Sequence, residues 1–207
     1  MSTTSTEAAD PYHILTPKPD ITIGLAHTAF VQRHQRRLVD HQASGSILSD
    51  PHAADMGLRF PFLVVEAKGL SLNGSLISAQ NQAAISGASM LTIMKDLNHQ
   101  AAWNASADSD SESRALDMEL TSPSSTPLAP QLTPSLCFSI VTEGPVHELW
   151  VHFEYEDGYY MEFLQSWRTT RKRDAEGLAH FLARIMEWGK GSFKEGIVEK
   201  LDRVQRY

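Results

Sequence analysis

The stretch Phe60-Pro-Phe-Leu-Val-Val-Glu-Ala-Lys68 decides the fold of this chain. Its first six residues are almost entirely apolar and end in two β-branched valines, and the run is too short for an ordinary helix. Such a run is typical of a central strand that is buried on both faces. We therefore predict a buried strand here, around which the rest of the domain assembles.

The charged end of this stretch carries the first functional signal. Glu66 and Lys68 are two residues apart, so on a strand their side chains lie on the same face. A buried strand therefore brings a carboxylate and an ammonium group to one place. Asp20 follows Pro19 at the start of another candidate strand, Ile21-Thr-Ile-Gly-Leu25, and can add a second carboxylate.

These residue types suit the hydrolysis of a phosphodiester bond. Mg²⁺ prefers oxygen ligands and keeps several waters, so one or two carboxylates suffice to hold it. The metal polarises the phosphate and acidifies a bound water. A nearby lysine can hold that water and stabilise the charge that develops on the phosphate. Taken alone, however, a Glu-x-Lys sequence is more often a solvated strand end than a site.

Hydrophobic periodicity predicts the other elements. Helices are expected over 28–41, 76–97, 174–188 and 193 to about 206, and strands over 136–141, 146–155 and 159–167. On the long helix we expect the sheet-facing positions to be Ile77, Ala84, Ala88, Leu91 and Met94, and we expect Asp174 to be the N-cap of the helix that follows the strands. The order predicts an α/β (α+β) domain with a mixed central sheet flanked by helices.

Composition indicates one domain with polar additions. Residues 1–16 are expected to be flexible, and 17–207 to form a single domain. The block at about 103–134 is rich in Ser, Asp, Pro, Thr and Ala, and it cannot bury enough apolar surface to offset the entropy of ordering. We therefore predict a disordered insertion within the domain.

Charge and cysteine content exclude several classes of protein. The net charge is −7, which disfavours a broad basic face for nucleic acid. Cys137 is the single cysteine, so neither an internal disulfide nor a Cys-rich zinc site is available. The N-terminus lacks the pattern of a signal peptide, and no stretch reaches the ~20 apolar residues of a membrane span. We expect an intracellular protein of the cytoplasm or nucleus, without a membrane partner.

The Pro19-Asp20 pair, the Glu66-Ala67-Lys68 motif and a following helix with Gln80 and Gln82 together resemble the PD-(D/E)XK nuclease superfamily. The wider sequence is similar to fungal proteins that carry a PD-(D/E)XK nuclease-like domain, over roughly residues 17–190. The similarity rests on Pro19-Asp-Ile-Thr-Ile-Gly-Leu25, Arg59-Phe-Pro-Phe-Leu-Val-Val-Glu-Ala-Lys68, Ala79-Gln-Asn-Gln-Ala-Ala-Ile-Ser-Gly-Ala-Ser89 and Glu148-Leu-Trp-Val-His152.

The resemblance implies a restriction-endonuclease-like core and hydrolysis of nucleic acid, with DNA as the expected substrate. It implies that Asp20 and Glu66 bind Mg²⁺ or Mn²⁺ and that Lys68 is the catalytic lysine. A glutamine on the helix after the Glu-x-Lys strand is then expected to support the site. Gln80 is the better match for that role, and Gln82 is the weaker one.

Two departures from the superfamily pattern leave alternatives open. The separation between Asp20 and Glu66 is long, so Asp50 or Asp55 is an alternative to Asp20. Glu7 is the only glutamate before Asp20, and it lies in the segment expected to be flexible. The alternative function is therefore a nuclease-fold protein without catalysis, which serves as an effector-like or regulatory module that binds a protein partner.

Three further groups of residues stand out in the sequence, and the first of them has several interpretations. Arg168, Arg171, Lys172 and Arg173 form a basic cluster that can contact phosphates, bind nucleic acid without a metal or act as an import signal, or simply be solvated. His27, His34 and His41 recur every seven residues, and we expect them on a solvated helix face. The aromatic residues of the predicted hairpin are expected to form its core and cross-strand pairs: Trp150, Tyr155, Tyr159, Tyr160 and Trp167.

Overall fold

The computed structural model describes residues 18–50, 57–69, 75–113, 135–156 and 158–204, with the side chains of 104–113 excepted. The strands are β1 (Ile21–Ala26), β2 (Leu58–Lys68), β3 (Leu136–Glu143), β4 (Val146–Tyr155) and β5 (Gly158–Arg168). The helices are α1 (Gln32–Ser44), α2 (Leu76–Ser113), α3 (Lys172–Trp188) and α4 (Lys194–Arg203). A 3₁₀ turn, His27–Ala29, precedes α1. A π-helical turn, Gly189–Phe193, which is kinked at the non-helical Gly191, joins α3 to α4. The predicted N-terminal flexible segment, 1–16, lies outside the described residues.

The strands form one five-stranded sheet in the order β1-β2-β3-β4-β5. β2 and β3 are parallel, and every other neighbouring pair is antiparallel. Helix α2 is the crossover that a parallel pair requires. The prediction of a mixed sheet flanked by helices is therefore confirmed.

This topology places several strand ends at one edge of the sheet. The last residues of β2, β3 and β5 lie there, together with the first residues of β1 and β4, because β1 and β4 run in the opposite direction. We call it the carboxyl edge, after the C-termini of β2 and β3. Side chains near Asp20, Glu66 and Arg168 therefore share one end of the molecule.

The predicted central strand is confirmed, with one irregularity. Phe60, Phe62, Leu63 and Val64 are each at most 2% exposed. Phe60 has a positive φ of 45°, and the register with β1 shifts nearby. Pro61 cannot donate to a ladder, so the strand accommodates it in a bulge, and the amide of Phe60 instead donates to the carbonyl of Ser49 at 2.8 Å.

Helix α2 covers one face of the sheet through small residues. Ala79, Ala83, Ser86 and Met90 are each at most 2% exposed and follow the helical repeat. The predicted sheet-facing stripe is wrong in its first half, because Ile77 is 69% exposed and Ala84 is also exposed. It is correct for Leu91 and Met94, which are buried.

Helices α3 and α4 cover the other face through aromatic contacts. The Trp188 ring meets the rings of Phe62 and Phe138 edge-on, at 5.9 and 5.4 Å between centroids. Phe193, at the end of the π-helical turn, lies 4.9 Å from Trp188. Gly189 lies so close to the Phe62 ring that a Cβ there would sit 2.2 Å from its Cζ atom.

The structure corrects several predicted element boundaries. Helix α2 continues to Ser113, so the first part of the predicted insertion, 103–113, is helical, and 114–134 lies outside the described residues. Helix α1 begins at Gln32 because the preceding residues form the 3₁₀ turn. The N-cap of α3 is Arg171, and Asp174 lies in the first turn, where its carboxylate accepts the amide hydrogen of Arg168. Helix α4 ends at Arg203 rather than at about residue 206.

The prediction of a solvated histidine face is wrong for two of its three members. His34 and His41 are 1% and 2% exposed. His34 Nε2 lies 2.7 Å from the Asp202 carboxylate, and His41 Nδ1 lies 2.7 Å from the Ser46 hydroxyl. Both imidazoles therefore link α1 to later parts of the chain.

The prediction of an aromatic hairpin core is also only half right. Trp167 is buried, whereas Tyr155, Tyr159 and Tyr160 are 60%, 42% and 48% exposed. Cross-strand pairing is confirmed, for example in the stacked rings of Phe153 and Tyr160 at 5.7 Å. β5 is an edge strand, so its side chains receive cover from one neighbouring strand only.

We predict that Gly87→Ala destabilises the protein by about 3 kcal/mol. A Cβ at residue 87 would lie 2.1 Å from Nδ1 of the buried His152, whose Nε2 is held at 2.8 Å by the Ser139 hydroxyl. The matched control is Gly196→Ala, whose new methyl group meets nothing within 4 Å. The control is expected to raise the free energy of unfolding by about 0.5–1 kcal/mol in urea denaturation, and equal effects of the two variants would contradict the prediction.

No helix in the described part of the chain is long and apolar enough to cross a membrane.

Candidate active site

Asp20 and Glu66 meet at the carboxyl edge. Ile21 pairs with Val65 in the antiparallel ladder, so Asp20 lies opposite Glu66. The Asp20 Oδ2 atom accepts the amide hydrogen of Ala67 at 2.6 Å. The long segment between the two acids therefore does not keep them apart, because the β1–β2 ladder returns them to one place.

The Glu66 carboxylate is buried and electrostatically coupled to both partner residues. It is 3% exposed and accepts a hydrogen bond from the Ser86 hydroxyl of α2 at 3.1 Å. Burial raises the pKa of Glu66, the Ser86 hydrogen bond opposes that rise, the Asp20 charge adds to it and the Lys68 ammonium opposes it. Two carboxylates and one ammonium therefore act on one another here.

A further carboxylate lies in the same row of the sheet. Val141 of β3 pairs with Glu66 on one side and with Glu148 of β4 on the other, so both glutamates lie on the α2 face, two strand spacings or about 10 Å apart. Glu148 Oε2 accepts from Gln80 Nε2 at 2.8 Å and from Trp150 Nε1 at 3.1 Å. Gln80 therefore contacts Glu148 rather than Glu66.

Sequence reasoning missed Glu148 as a site residue. The available signal was strand alternation, since Glu148 shares the face of Trp150 and His152 on β4. Gln82, the weaker glutamine candidate, is exposed on α2, and its side chain forms no hydrogen bond with any residue that the structure describes.

The next row along the carboxyl edge carries charged residues of both signs. Lys68 pairs with Glu143, Glu143 with Val146, and Val146 with Arg168. The Glu143 carboxylate accepts the amide hydrogen of Leu76 at 3.2 Å, in the first turn of α2. A carboxylate there is favourable because the N-terminus of a helix carries a partial positive charge.

The predicted basic cluster lies at the same edge. Arg168 ends β5, and Arg171, Lys172 and Arg173 begin α3, and all four residues are exposed. Lys172 lies 3.6 Å from Glu176 in an exposed ion pair, which contributes little stability. The cluster is therefore a solvated cationic surface on the end of the sheet that carries the acids.

The alternative ligand Asp50 lies elsewhere. Its carboxylate acts on the Arg59 guanidinium at the start of β2, and its main chain contacts the Gln42 side chain. Arg59 and Glu66 are seven positions apart on a strand, about 23 Å. Asp55, the other alternative, lies outside the described residues.

The donor set fits a hard divalent cation. Asp20 and Glu66 each use one carboxylate oxygen in a hydrogen bond to the protein, from Ala67 and Ser86. Mg²⁺ and Mn²⁺ are suited to oxygen ligands, and Mg²⁺ requires few from the protein because it retains waters. Among the residues that the structure describes, no group of three or more His, Cys, Asp or Glu side chains could hold a metal ion. The carboxylates of Asp20 and Glu66 are therefore the two protein ligands available to a metal ion at this place.

The chain belongs to a family defined as a domain of unknown function, DUF7924, whose model matches residues 2–201. No curated protein and no solved structure matches this chain.

We predict that Glu66→Gln raises the free energy of unfolding at neutral pH. Because the pKa of Glu66 is raised by burial, the unfolded chain loses this proton at a lower pH than the folded protein does. The ionised Glu66 therefore destabilises the fold above its folded pKa, and this destabilisation disappears as the pH falls through the ordinary glutamate range. Glutamine retains an oxygen for Ser86 and stays neutral.

Urea denaturation of wild type and variant between pH 7.5 and 4.5 measures this difference. The gain of Glu66→Gln should shrink toward pH 4.5, whereas Glu162→Gln, on the exposed edge strand, should differ little from wild type at any pH. A Glu66→Gln protein that is less stable than wild type at pH 7.5 would show that the carboxylate stabilises the fold.

Proposed function

We propose that this protein is a metal-dependent nuclease with a PD-(D/E)XK-type site and a restriction-endonuclease-like core. The main support for this proposal is that Asp20 and Glu66 form a cross-strand pair, with Lys68 on the same face of β2 as Glu66. The order of elements supports the proposal, since the acidic residue, the Glu-x-Lys strand and the glutamine-bearing helix follow one another as the sequence resemblance implies.

In this proposal Asp20 and Glu66 hold Mg²⁺ or Mn²⁺, and Lys68 orients the attacking water. The bound cation would polarise the scissile phosphate and lower the pKa of a bound water. Ser86 fixes one oxygen of Glu66, and the amide of Ala67 fixes one oxygen of Asp20. Gln80 is a positioning residue, because it holds Glu148 at the side of the site.

The proposed substrate is nucleic acid, with DNA as the first choice. The site edge carries fixed negative charge, which repels a polyanion, so binding needs cations nearby. Arg168, Arg171, Lys172 and Arg173 are exposed at that edge and suit contacts to phosphates on either side of the scissile bond.

We predict that the purified protein, with Mg²⁺ or Mn²⁺, cleaves at least one of single-stranded DNA, duplex DNA or RNA. Lys68→Ala should lower the cleavage rate at least about 100-fold, because it removes the cation that orients the water and faces the developing charge. The matched control is Lys190→Ala, an exposed lysine of the π-helical turn, which should leave the rate unchanged. Equal cleavage by wild type and Lys68→Ala would contradict the proposed role of this site in cleavage.

A second prediction concerns the metal alone. Calorimetric titration with Mn²⁺ should show saturable binding to wild type and to Glu162→Gln, and at least tenfold weaker binding to Asp20→Asn and Glu66→Gln, since each loses a charged ligand. An absence of binding to wild type would refute the metal site. Binding of Mn²⁺ without cleavage of any nucleic acid would favour the alternative, a nuclease-fold module that binds a protein partner.

A further inference from the structure

A cavity of about 280 Å³ lies between α2, the start of β3, the π-helical turn and α4. Its walls are mainly apolar, and they are formed by Met94, Leu136, Trp188, Phe193 and Ile197. Ser135, Ser192, Gly196 and Lys200 complete the lining. The volume is near the lower end of those that bind small organic molecules.

The cavity lies away from the candidate active site. Leu136 is the first residue of β3, whereas Glu143, at the carboxyl edge, is the last. The seven intervening steps along a strand amount to about 23 Å. A ligand in this cavity would therefore not contact Asp20, Glu66 or Lys68.

Lys200 gives the cavity a cationic wall. The neighbouring Glu199 forms its ion pair with Arg203 one turn later, and Lys200 forms no ion pair with any residue that the structure describes. Lys200 is half-buried, and burial lowers the pKa of its ammonium group. An ammonium that is partly removed from water gains from an anionic partner.

A hydroxyl group stands beside this cation. Ser135 lines the cavity, and its Oγ accepts a hydrogen bond from Asn98 Nδ2 at 3.2 Å. Because that bond uses a lone pair of the hydroxyl oxygen, the Ser135 proton is available for an acceptor in the cavity. The lining thus combines mainly apolar walls with the Lys200 cation and the hydroxyl groups of Ser135 and Ser192.

We propose that this cavity binds a small apolar monocarboxylate, with its hydrocarbon part between Trp188 and Ile197 and its carboxylate toward Lys200. A neutral ligand would leave the half-buried ammonium without a directly paired anion, because Glu199, whose charge acts on Lys200, forms its ion pair with Arg203. A hydrophilic anion would leave the aromatic walls of the cavity exposed to water. The interruption between α3 and α4 shapes the cavity, since Ser192 and Phe193 follow the kink at the non-helical Gly191 and line the cavity wall.

Calorimetric titration of the full chain with sodium octanoate tests the proposal, with 1-octanol and octyltrimethylammonium as neutral and cationic probes of equal chain length. Octanoate should bind saturably and at least about tenfold more tightly than either probe, which is the contribution of one charged hydrogen bond. Tryptophan fluorescence should change on binding in wild type and not in Trp188→Phe.

Two variants address the cavity directly. Lys200→Met keeps the aliphatic stem and removes the charge. It should therefore weaken the binding of octanoate at least about tenfold and leave the binding of octanol unchanged. Gly196→Leu places a side chain where a Cβ meets nothing within 4 Å. This variant should therefore abolish the binding of both octanoate and octanol with little loss of stability. Lys194→Met, on the same helix but outside the lining, is the matched control and should bind octanoate as wild type does.

Three results would overturn the proposal: no saturable binding of octanoate, equal affinity for octanoate and octanol, or unchanged octanoate binding in both Lys200→Met and Gly196→Leu. Because none of these variants touches Asp20, Glu66 or Lys68, the outcome is independent of nuclease activity.

Discussion

The double pairing of β2 is the constraint on which the rest of the structure depends. This strand forms an antiparallel ladder with β1 and a parallel ladder with β3, so its backbone is satisfied on both sides. The first ladder sets Asp20 opposite Glu66, and the second sets Glu66 in line with Val141 and, one strand further, Glu148. A shift of one residue in either register would turn the site side chains to the other face.

The same strand pairing leaves a buried acid, Glu66, near the end of β2. The Glu66 carboxylate lies between a second acid and a helix, and its desolvation opposes folding. Ser86 and Lys68 offset part of the cost, since both favour the ionised form. A residue that destabilises the fold where it sits is typical of sites that evolution retains for chemistry.

The fold was largely predictable, and the site only in part. The strand at 60–68, the hairpin strands and the amphipathic α3 follow from local periodicity, and each was predicted within a few residues. The sheet-facing side of α2 was not predicted correctly. The first half of this helix has alanine and isoleucine on all sides, so the periodicity of its apolar residues is ambiguous. The histidines of α1 could not be predicted as buried, since the partner of His34 is Asp202, 168 residues later.

The residues of the candidate site differ in how far the sequence marks them. Glu66 and Lys68 follow from spacing within one strand. Asp20 was only a candidate from its place at the start of another strand, because its meeting with Glu66 required a ladder across 46 residues. Glu148 lies in one of the segments that carry the resemblance, but nothing in the sequence assigned it a role in the site. Its importance follows from a hydrogen bond to Gln80 on a helix 68 residues earlier, which is visible only once α2 is placed on the sheet.

Helix α2 therefore does more than join two parallel strands. Its close approach depends on Gly87, which lies against the imidazole of His152, and burial lowers the pKa of that imidazole to about 4. A neutral ring can lie under a helix at physiological pH, whereas an imidazolium there would be desolvated without a counter-charge. Because Ser86 immediately precedes Gly87, the same approach brings its hydroxyl to Glu66. The packing of one glycine on one histidine thus sets the distance at which the helix supports the site.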